Sequence, residues 1–421
     1  MINYEILKKY PLCDRCFGRL YGKVLNTTNL VRGKSLKIAK AIEAEINKDE
    51  EMLKALSRSG VKEIRGVDEE VKECPWCKGI FNRMDKLLEE VLEKVKDYEF
   101  NTFLIGTHIP EEIKEFEEEI KTEYMESIKQ EFGREFGKLL ARTINKKPDK
   151  ENPDIVIHIN PYTEEIWLQV NPLFIKGRYR KLVRGIPQTR WLCGFCKGKG
   201  CVYCNFTGKK YLVSVEEIIG EPILKATKGK DYRFHGAGRE DIDVRMLGNG
   251  RPFVIEIKEP RIRNINLKKL EEEINKDGRV EVLNLEFCRR KDKVIIKNVP
   301  HKKTYRALVY CEDEVSEEEL KKLEEELKNR EIYQRTPKRV LHRRADLVRV
   351  RKVYKVEANK VDRNHFELII YCDGGLYIKE LISGDEGRTK PSVSSILNKQ
   401  CICKELDVIK VHDGETNGRN E

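Results

Sequence analysis

The sequence predicts an α+β protein with two or three domains. Its 421 residues are enough for more than one hydrophobic core. Apolar residues at helical spacing predict one long helix over residues 110–145. Apolar runs with strand patterning predict β-strands at 154–159, 165–170 and 366–371. We therefore expect helices and sheets to share the cores.

Charge and hydrophobicity narrow the class of protein. Charged residues make up 37% of the chain, hydrophobic residues 39%, and the formal net charge is +11. A basic, evenly mixed composition fits a protein whose partner is a polyanion such as RNA. No apolar run reaches membrane-spanning length and the first residues form no secretory signal, so we expect a cytoplasmic protein without a membrane partner.

Cysteine spacing indicates a metal site near the amino terminus. Eight of the thirteen cysteines form four Cys-x-x-Cys pairs, which in a reducing compartment favour metal ligands over disulfides. The first two pairs are Cys13 with Cys16 and Cys74 with Cys77. Four thiolates complete a tetrahedral zinc site and leave no position for substrate, so we expect a structural Zn²⁺ in a subdomain over 1–96. Two unrelated thiol pairs are the alternative.

A second, more compact cluster joins Cys193, Cys196, Cys201 and Cys204, with glycines between the pairs. This spacing favours a second structural zinc site on an insertion, and a redox pair is the alternative. The remaining cysteines lie mostly in strand-like apolar contexts, where we interpret them as small core residues.

The predicted helix, the two following strands and a basic aromatic end together resemble a THUMP domain, a module that binds RNA. We place this THUMP-like region at 97–188. Its basic end predicts RNA contacts, and a solvated tail is the alternative. The side chains concerned are Arg178, Arg180, Lys181 and Arg184.

A second basic segment follows a short helix that a capping box predicts to begin at Ser316. Such a density of cations repels itself unless an anion is near, so phosphate binding is expected; an edge strand protected by charge is the alternative. The segment contains Arg335, Lys338, Arg339, Arg343 and Arg344.

The stretch 235–260 is the strongest candidate for a functional site. Its glycine-rich first half predicts a loop that carries Asp241, with Arg239 beside it. Two strands are predicted after the loop, separated by a turn at 248–252. A surface hairpin with solvated charges is the alternative.

The Arg239-x-Asp241 run resembles the aspartate motif of the pseudouridine synthases, and the longer string 238–253 resembles one branch of that family, the archaeal and eukaryotic Pus10 enzymes. The strand that contains Tyr305 resembles the second synthase motif, and the run 377–379 resembles the third. The motifs occur in the family's order.

This resemblance implies a mixed-sheet catalytic domain over 189–411, followed by a frayed tail at 412–421. It implies a monomeric tRNA enzyme that needs no cofactor for catalysis and no protein partner, acting on uridines 54 and 55 of the TΨC arm. Asp241 would be the nucleophile and Lys379 the cation that keeps it ionised. Tyr305 would stack on the detached uracil and, as a further catalytic residue, help to remove its C5 proton. The base would also be bound by Tyr377, Ile378 and Arg239.

Two other functions fit parts of the pattern. A zinc-stabilised tRNA-binding protein without catalytic activity would keep the cysteine pairs and basic segments but would not depend on Asp241. Another THUMP-type tRNA-modifying enzyme would need a glycine-rich nucleotide loop for methyl transfer or an ATP-binding loop for sulfur insertion. Neither pattern occurs in the sequence.

Overall fold

The structure is a computed structural model that describes residues 2–67, 69–298 and 301–412, apart from the side chain of Arg343. The chain divides into two compact units, residues 1–171 and residues 172–421. Of the tail predicted at 412–421, all but the first residue lies outside the described residues. None of the described helices is long and apolar enough to cross a membrane.

The amino-terminal unit combines helices with a small sheet. Its four strands lie in the order β2-β1-β3-β4, in which β1 runs parallel to β2 and β3, and β4 runs antiparallel to β3. The described elements are α1 (Ile6–Lys9), α2 (Asp14–Arg19), α3 (Asn29–Asn47), α4 (Glu50–Arg58), α5 (Met84–Val95), β1 (Thr102–Thr107), α6 (Glu111–Glu119), α7 (Ile128–Ile144), β2 (Lys147–Pro148), β3 (Ile155–Asn160) and β4 (Glu165–Val170).

The prediction of one long helix over 110–145 is wrong, because two helices, α6 and α7, occupy that range. A capping box formed by Ser127 and Gln130 begins α7, so the two helices are separate. The buried Glu117 accepts a hydrogen bond from the backbone N–H of Ile128 at 2.6 Å. The apolar stripe nevertheless belongs to the core, as its spacing predicts: Phe132 and Phe136 are fully buried.

The carboxyl-terminal unit is organised around one ten-stranded mixed sheet, which confirms the predicted fold class. The strand order is β13-β10-β11-β12-β9-β14-β7-β5-β8, with β6 paired to β7, and among the strand pairs of the described residues only β14–β7 is parallel. The elements are β5 (Leu173–Lys181), α8 (Val215–Thr227), β6 (Asp231–Gly236), β7 (Arg245–Lys258), α9 (Leu267–Asn275), β8 (Val280–Cys288), α10 (Arg290–Asn298), β9 (Lys303–Cys311), α11 (Glu317–Leu327), β10 (Arg330–Arg335), β11 (Val348–Lys360), β12 (His365–Cys372), α12 (Ile378–Ser383), β13 (Thr389–Lys390), α13 (Val393–Leu397) and β14 (Cys401–Val411).

The turn predicted at 248–252 is not a hairpin turn, because β7 continues through it. The first part of β7 pairs with β14 and the rest pairs with β5. Gly248 and Gly250, both with positive φ, lie where the register against β5 shifts. A Cβ atom on Gly248 would lie 1.7 Å from the carbonyl oxygen of Ile409, so the glycine is needed for close approach of two backbones.

The basic strand β5 lies in the large sheet between β7 and β8. We had placed these residues at the end of the THUMP-like region, but their backbone hydrogen bonds join them to the carboxyl-terminal unit. Cys311 and Cys401, interpreted as separate core thiols, face each other across β9 and β14 and form a disulfide.

Candidate active site

The Asp241 loop, residues 237–244, connects β6 to β7 and is held by buried hydrogen bonds on both sides. The ammonium of Lys181 donates to the backbone oxygens of Asp241 and Ile242 at 3.0 and 3.1 Å. Gln188 donates to the carbonyl oxygen of Gly238 at 2.9 Å. Lys181 is fully buried, so our prediction that it contacts RNA is wrong and its role is to fix the loop.

A buried carboxylate lies directly before Asp241. Glu240 accepts hydrogen bonds from the Tyr179 hydroxyl at 2.8 Å and from Arg251 Nε at 3.0 Å, and Lys181 Nζ lies 3.9 Å away. Burial raises the pKa of Tyr179, and the neighbouring Glu240 charge raises it further, so the phenol remains a donor. With Glu240 anchored inward, Asp241 points towards the cavity described next.

Asp241, Tyr305 and the third motif line one cavity of about 280 Å³, close to the lower end of small-ligand pockets at about 300 Å³. Tyr305 is 8% exposed, and burial raises the pKa of its phenol well above the ordinary value. Arg239 and Arg344 also line this cavity, and both side chains are exposed. The structure therefore brings the three predicted motifs together.

Two carboxylates of the loop pair with two cations, and the pairing differs from our prediction. Arg339 Nη1 lies 2.9 Å from Asp241 Oδ2, whereas Lys379 Nζ lies 2.6 Å from Asp243 Oδ2. The buried Glu380 explains this, because it accepts a hydrogen bond from Arg339 Nε at 2.6 Å and directs that guanidinium to Asp241. Burial opposes ionisation of Asp243, but the hydrogen bond from Lys379 leaves its pKa below the ordinary value.

The third motif is positioned by a buried glutamine. Gln334 accepts a hydrogen bond from the Tyr377 backbone N–H at 2.8 Å and donates one to the Tyr377 carbonyl at 3.0 Å. Tyr377 is the N-cap residue of α12, and Ile378, the first residue of that helix, is 3% exposed. This clamp holds an aromatic and an aliphatic side chain at the cavity wall.

Three arginines predicted to bind RNA make contacts within the carboxyl-terminal unit, and their binding to RNA stays a prediction. Arg178 Nε donates to the carbonyl oxygen of Asn249 at 2.7 Å, and Arg180 Nε donates to that of Gly248 at 2.6 Å. Arg184 pairs with two carboxylates of β14, the nearer at 2.8 Å. Arg178 and Arg180 thus join β5 to β7, and Arg184 joins the segment after β5 to β14.

The second basic segment is more accessible. Arg335 pairs with Asp346 at 2.7 Å, Lys338 pairs with an acidic neighbour, and both cations are about half exposed. Arg344 is exposed beside the cavity, and the side chain of Arg343 lies outside the described residues.

Among the cavity residues that the sequence analysis did not assign to the site is a lysine, Lys303. Lys303 begins β9, two residues before Tyr305 on the same face of the strand, and is 8% exposed. Period-two alternation from Tyr305 could have identified it, but we treated the lysine only as a neighbour of the motif.

The first cysteine cluster has the geometry of a metal site. The four Sγ atoms of Cys13, Cys16, Cys74 and Cys77 lie within 4.8 Å of one another. A tetrahedral zinc site separates its sulfurs by about 3.8 Å, and Cys13 and Cys77 are 3.6 Å apart. The buried Arg19 donates to Cys16 Sγ at 3.4 Å, which offsets thiolate charge.

The second cluster is equally compact, with Cys193–Cys201 and Cys196–Cys204 separations of 3.9 and 3.8 Å. Backbone N–H groups donate to its sulfurs at 3.2 Å, which favours thiolates. The segment enters and leaves through one antiparallel bridge between Leu192 and Lys209. Its exposed aromatic rings, which sequence analysis missed, are Phe195, Tyr203 and Phe206.

An aspartate, a tyrosine and the third motif in one cavity are the arrangement that the resemblance to pseudouridine synthases implies, and comparison with known proteins assigns the chain to that class of isomerase. The family model described as Pus10, C-terminal matches residues 174–412, and that described as Pus10 THUMP domain, archaeal matches residues 87–160. The chain belongs to the Pus10 family.

Individual relatives agree over nearly the whole chain. The tRNA pseudouridine synthase Pus10 of Methanocaldococcus jannaschii is 72% identical over 98% of this chain and 94% of that protein. The protein of the same name from Pyrococcus furiosus is 46% identical over 97% of each. A solved Cbf5-Nop10-Gar1 complex is 18% identical over 47% of this chain and 45% of that one, with a TM-score of 0.30, and this weak similarity adds nothing to the assignment.

Proposed function

We propose that this protein converts uridine to pseudouridine in the TΨC arm of tRNA, at positions 54 and 55, as a cytoplasmic monomer that uses Asp241 as its nucleophile. The observation that carries the proposal is the Asp241–Arg339 pair at 2.9 Å in a cavity shared with Tyr305. The names of the relatives, which are tRNA pseudouridine synthases, support the substrate class.

The reaction needs an ionised carboxylate beside the sugar and base. Arg339 Nη1 lies 2.9 Å from Asp241 Oδ2 and supplies a counter-charge to that carboxylate. The side chain of Asp241 is still 32% exposed, so a nucleotide can reach it. Asp241 then attacks C1′, adds to C6, or removes a proton from C2′, and each route releases the N1–C1′ bond.

The detached uracil must be held while it turns from N1 to C5. Tyr305 offers a buried ring for stacking, and Tyr377 and Ile378 close the other wall of the cavity. Withdrawing the nucleotide from its stack costs a few kcal/mol, on the order of 2–4, which contacts to the RNA backbone must offset.

Those contacts are expected from the accessible cations near the cavity. Arg239 and Arg344 are exposed at its edge, and Arg335 and Lys338 extend the basic surface. The exposed rings of the second cysteine cluster offer further stacking surfaces for unpaired bases.

Both cysteine clusters fit zinc, and we propose a structural Zn²⁺ in each. Each supplies four sulfur ligands, which leaves no open coordination position. In the first, Cys13 and Cys16 flank the start of α2, so the metal would join that helix to the loop of Cys74 and Cys77. Catalysis would need no metal.

The test compares wild-type protein with Asp241→Asn and Asp243→Asn on an unmodified tRNA transcript, with pseudouridine mapped by carbodiimide-blocked reverse transcription. We expect stops in the TΨC arm with wild type and with Asp243→Asn, but none with Asp241→Asn. Asp243→Asn is the matched control, because its carboxylate lies in the same loop but pairs with Lys379. Equal activity of Asp241→Asn and wild type would refute the assignment of the nucleophile.

A further inference from the structure

Lys303 places an ammonium group inside the Asp241 cavity. Its side chain lines the cavity with Asp241 and Tyr305, and the residue is 8% exposed. A Cβ atom on Gly238, within the Asp241 loop, would lie 3.3 Å from Lys303 Nζ and 3.3 Å from Arg251 Nη1. The ammonium is therefore next to the loop that carries the candidate nucleophile.

Lys303 differs from the other buried or paired cations of the cavity in having no acceptor. Arg251 donates to Glu240 and to a backbone carbonyl, Arg339 pairs with Asp241, and Lys379 pairs with Asp243. Within the part of the chain that the structure describes, the side-chain ammonium of Lys303 makes no hydrogen bond or ion pair. A buried ammonium without an acceptor costs free energy unless a ligand supplies one.

The surroundings of Lys303 lower the pKa of its ammonium group. Burial, followed by repulsion from Arg251, lowers the pKa of Lys303 to about 7, although Cys372 and Glu240 act in the opposite sense. A negatively charged ligand in the cavity would favour the protonated form. Groups perturbed in this way concentrate at functional sites.

We propose that Lys303 is a further catalytic residue, whose ammonium binds a carbonyl oxygen of the uracil ring and stabilises the negative charge that develops there. The proposal rests on the proposed function, because the Asp241 cavity must be where the uridine binds. The ligand class is an anionic pyrimidine formed during the reaction.

Negative charge develops on the uracil ring in each of the three routes open to Asp241. If its carboxylate attacks C1′, an O–C1′ bond forms and the electron pair of the N1–C1′ bond stays on the ring. If it removes the C2′ proton, the C2′–H pair forms a C1′–C2′ double bond and the ring again leaves with the N1 pair. If it adds to C6, the electrons of the C5–C6 double bond move onto C5 and O4. Lys303 keeps its proton throughout and donates a hydrogen bond.

The first test is a set of substitutions measured in single-turnover reactions with tRNA transcript and excess enzyme. We expect Lys303→Met to lower the rate of pseudouridine formation by about 100-fold or more, as when a preorganised donor is removed, while the Kd for tRNA changes by less than about threefold. Lys303→Arg should recover much of the rate. Lys302→Met is the matched control, because this adjacent lysine lies over the Tyr354 ring at 4.5 Å, outside the cavity lining.

The second test is the pH dependence of kcat/KM between about pH 6 and pH 8.5, which reports groups of the free enzyme. Wild type should lose activity as pH rises through the pKa of Lys303 near 7, whereas Lys303→Arg should stay level. The groups that act on the charge of Lys303 are Arg251 on β7, Glu240 on the loop and Cys372 on β12. Tyr305 on β9 and Asp241 on the loop line the same cavity. The pKa of Cys372 is raised to about 12, and those of Arg251 and Tyr305 are raised also, so none of these three titrates in the range.

Several results would overturn the proposal. They are a Lys303→Met rate within about threefold of wild type, a parallel loss of affinity and rate, a wild-type profile that is level across this range, or a Lys303→Arg profile that keeps the wild-type decline. If Lys303→Met fails to fold, the pH profiles of kcat/KM for wild type and Lys303→Arg decide whether the proposal holds. If wild type is active and Asp241→Asn is not, the nucleophile stands even where the role of Lys303 fails.

Discussion

Replacing Glu240 with glutamine tests whether a buried carboxylate holds the candidate active site together. The carboxylate is fully buried, 3.0 Å from Arg251 Nε and 3.9 Å from Lys181 Nζ. Glutamine preserves the shape but leaves two buried cations without their counter-charge, and breaking a buried ion pair costs about 3–5 kcal/mol. In a domain of this size about 1 kcal/mol lowers Tm by about 2–4 °C, so we expect a loss of about 6–20 °C.

Scanning calorimetry of wild type and Glu240→Gln measures this loss. Glu405→Gln is the control, because that carboxylate is 55% exposed and pairs with Arg184 near the surface. Its removal should change the free energy of unfolding by less than about 1 kcal/mol. If Glu240→Gln unfolds within about 2 °C of wild type, Arg251 and Lys181 do not depend on the carboxylate and the reasoning fails.

Four further substitutions test other features. Gly248→Ala should lower the free energy of unfolding by more than about 2 kcal/mol in urea titrations, because its Cβ would meet the Ile409 oxygen at 1.7 Å; a neutral effect would mean that the β7–β14 contact is loose. Lys303→Met should raise stability by about 1–4 kcal/mol below pH 7. Burial lowers the pKa of this lysine to about 7 in the folded protein, so the gain in stability should fade as pH rises towards its pKa in the unfolded chain, about 10.4. A gain in stability that does not change with pH would show that the buried charge is not its cause. Elemental analysis should find about two zinc ions per wild-type chain, and about one per chain in either Cys16→Ala or Cys196→Ala. If a variant keeps the wild-type zinc content, the cluster that contains the replaced cysteine does not bind zinc.

Local signals predicted much of the fold. The strand expected at 366–371 lies within β12, and the capping box at Ser316 begins α11. The turn expected at 248–252 failed because Gly248 and Gly250 serve a register shift and a close backbone approach. Turn chemistry and bulge chemistry use the same residues, so sequence alone did not separate them.

The candidate site, like the fold, was predicted only in part from the sequence. Asp241 and Tyr305 were identified because each lies in a motif that is continuous in sequence, and the structure brings them to one cavity. The cation on Asp241 was assigned to Lys379, but the contact comes from Arg339, directed by Glu380. Arg339 was counted as one of several phosphate-binding cations, and only tertiary structure distinguishes it from them.

The segment that carries the second cysteine cluster is attached through a single antiparallel bridge, between Leu192 and Lys209. Cys193 N donates to the Gly208 oxygen at 2.8 Å and Lys210 N donates to the Trp191 oxygen at 2.9 Å, so the segment departs from the chain and returns at one hydrogen-bonded point. A segment attached in this way can be exchanged for a short hairpin loop without moving its flanking residues. Residues 193–208 can therefore be replaced by a short turn while the sheet and the Asp241 loop stay unaltered.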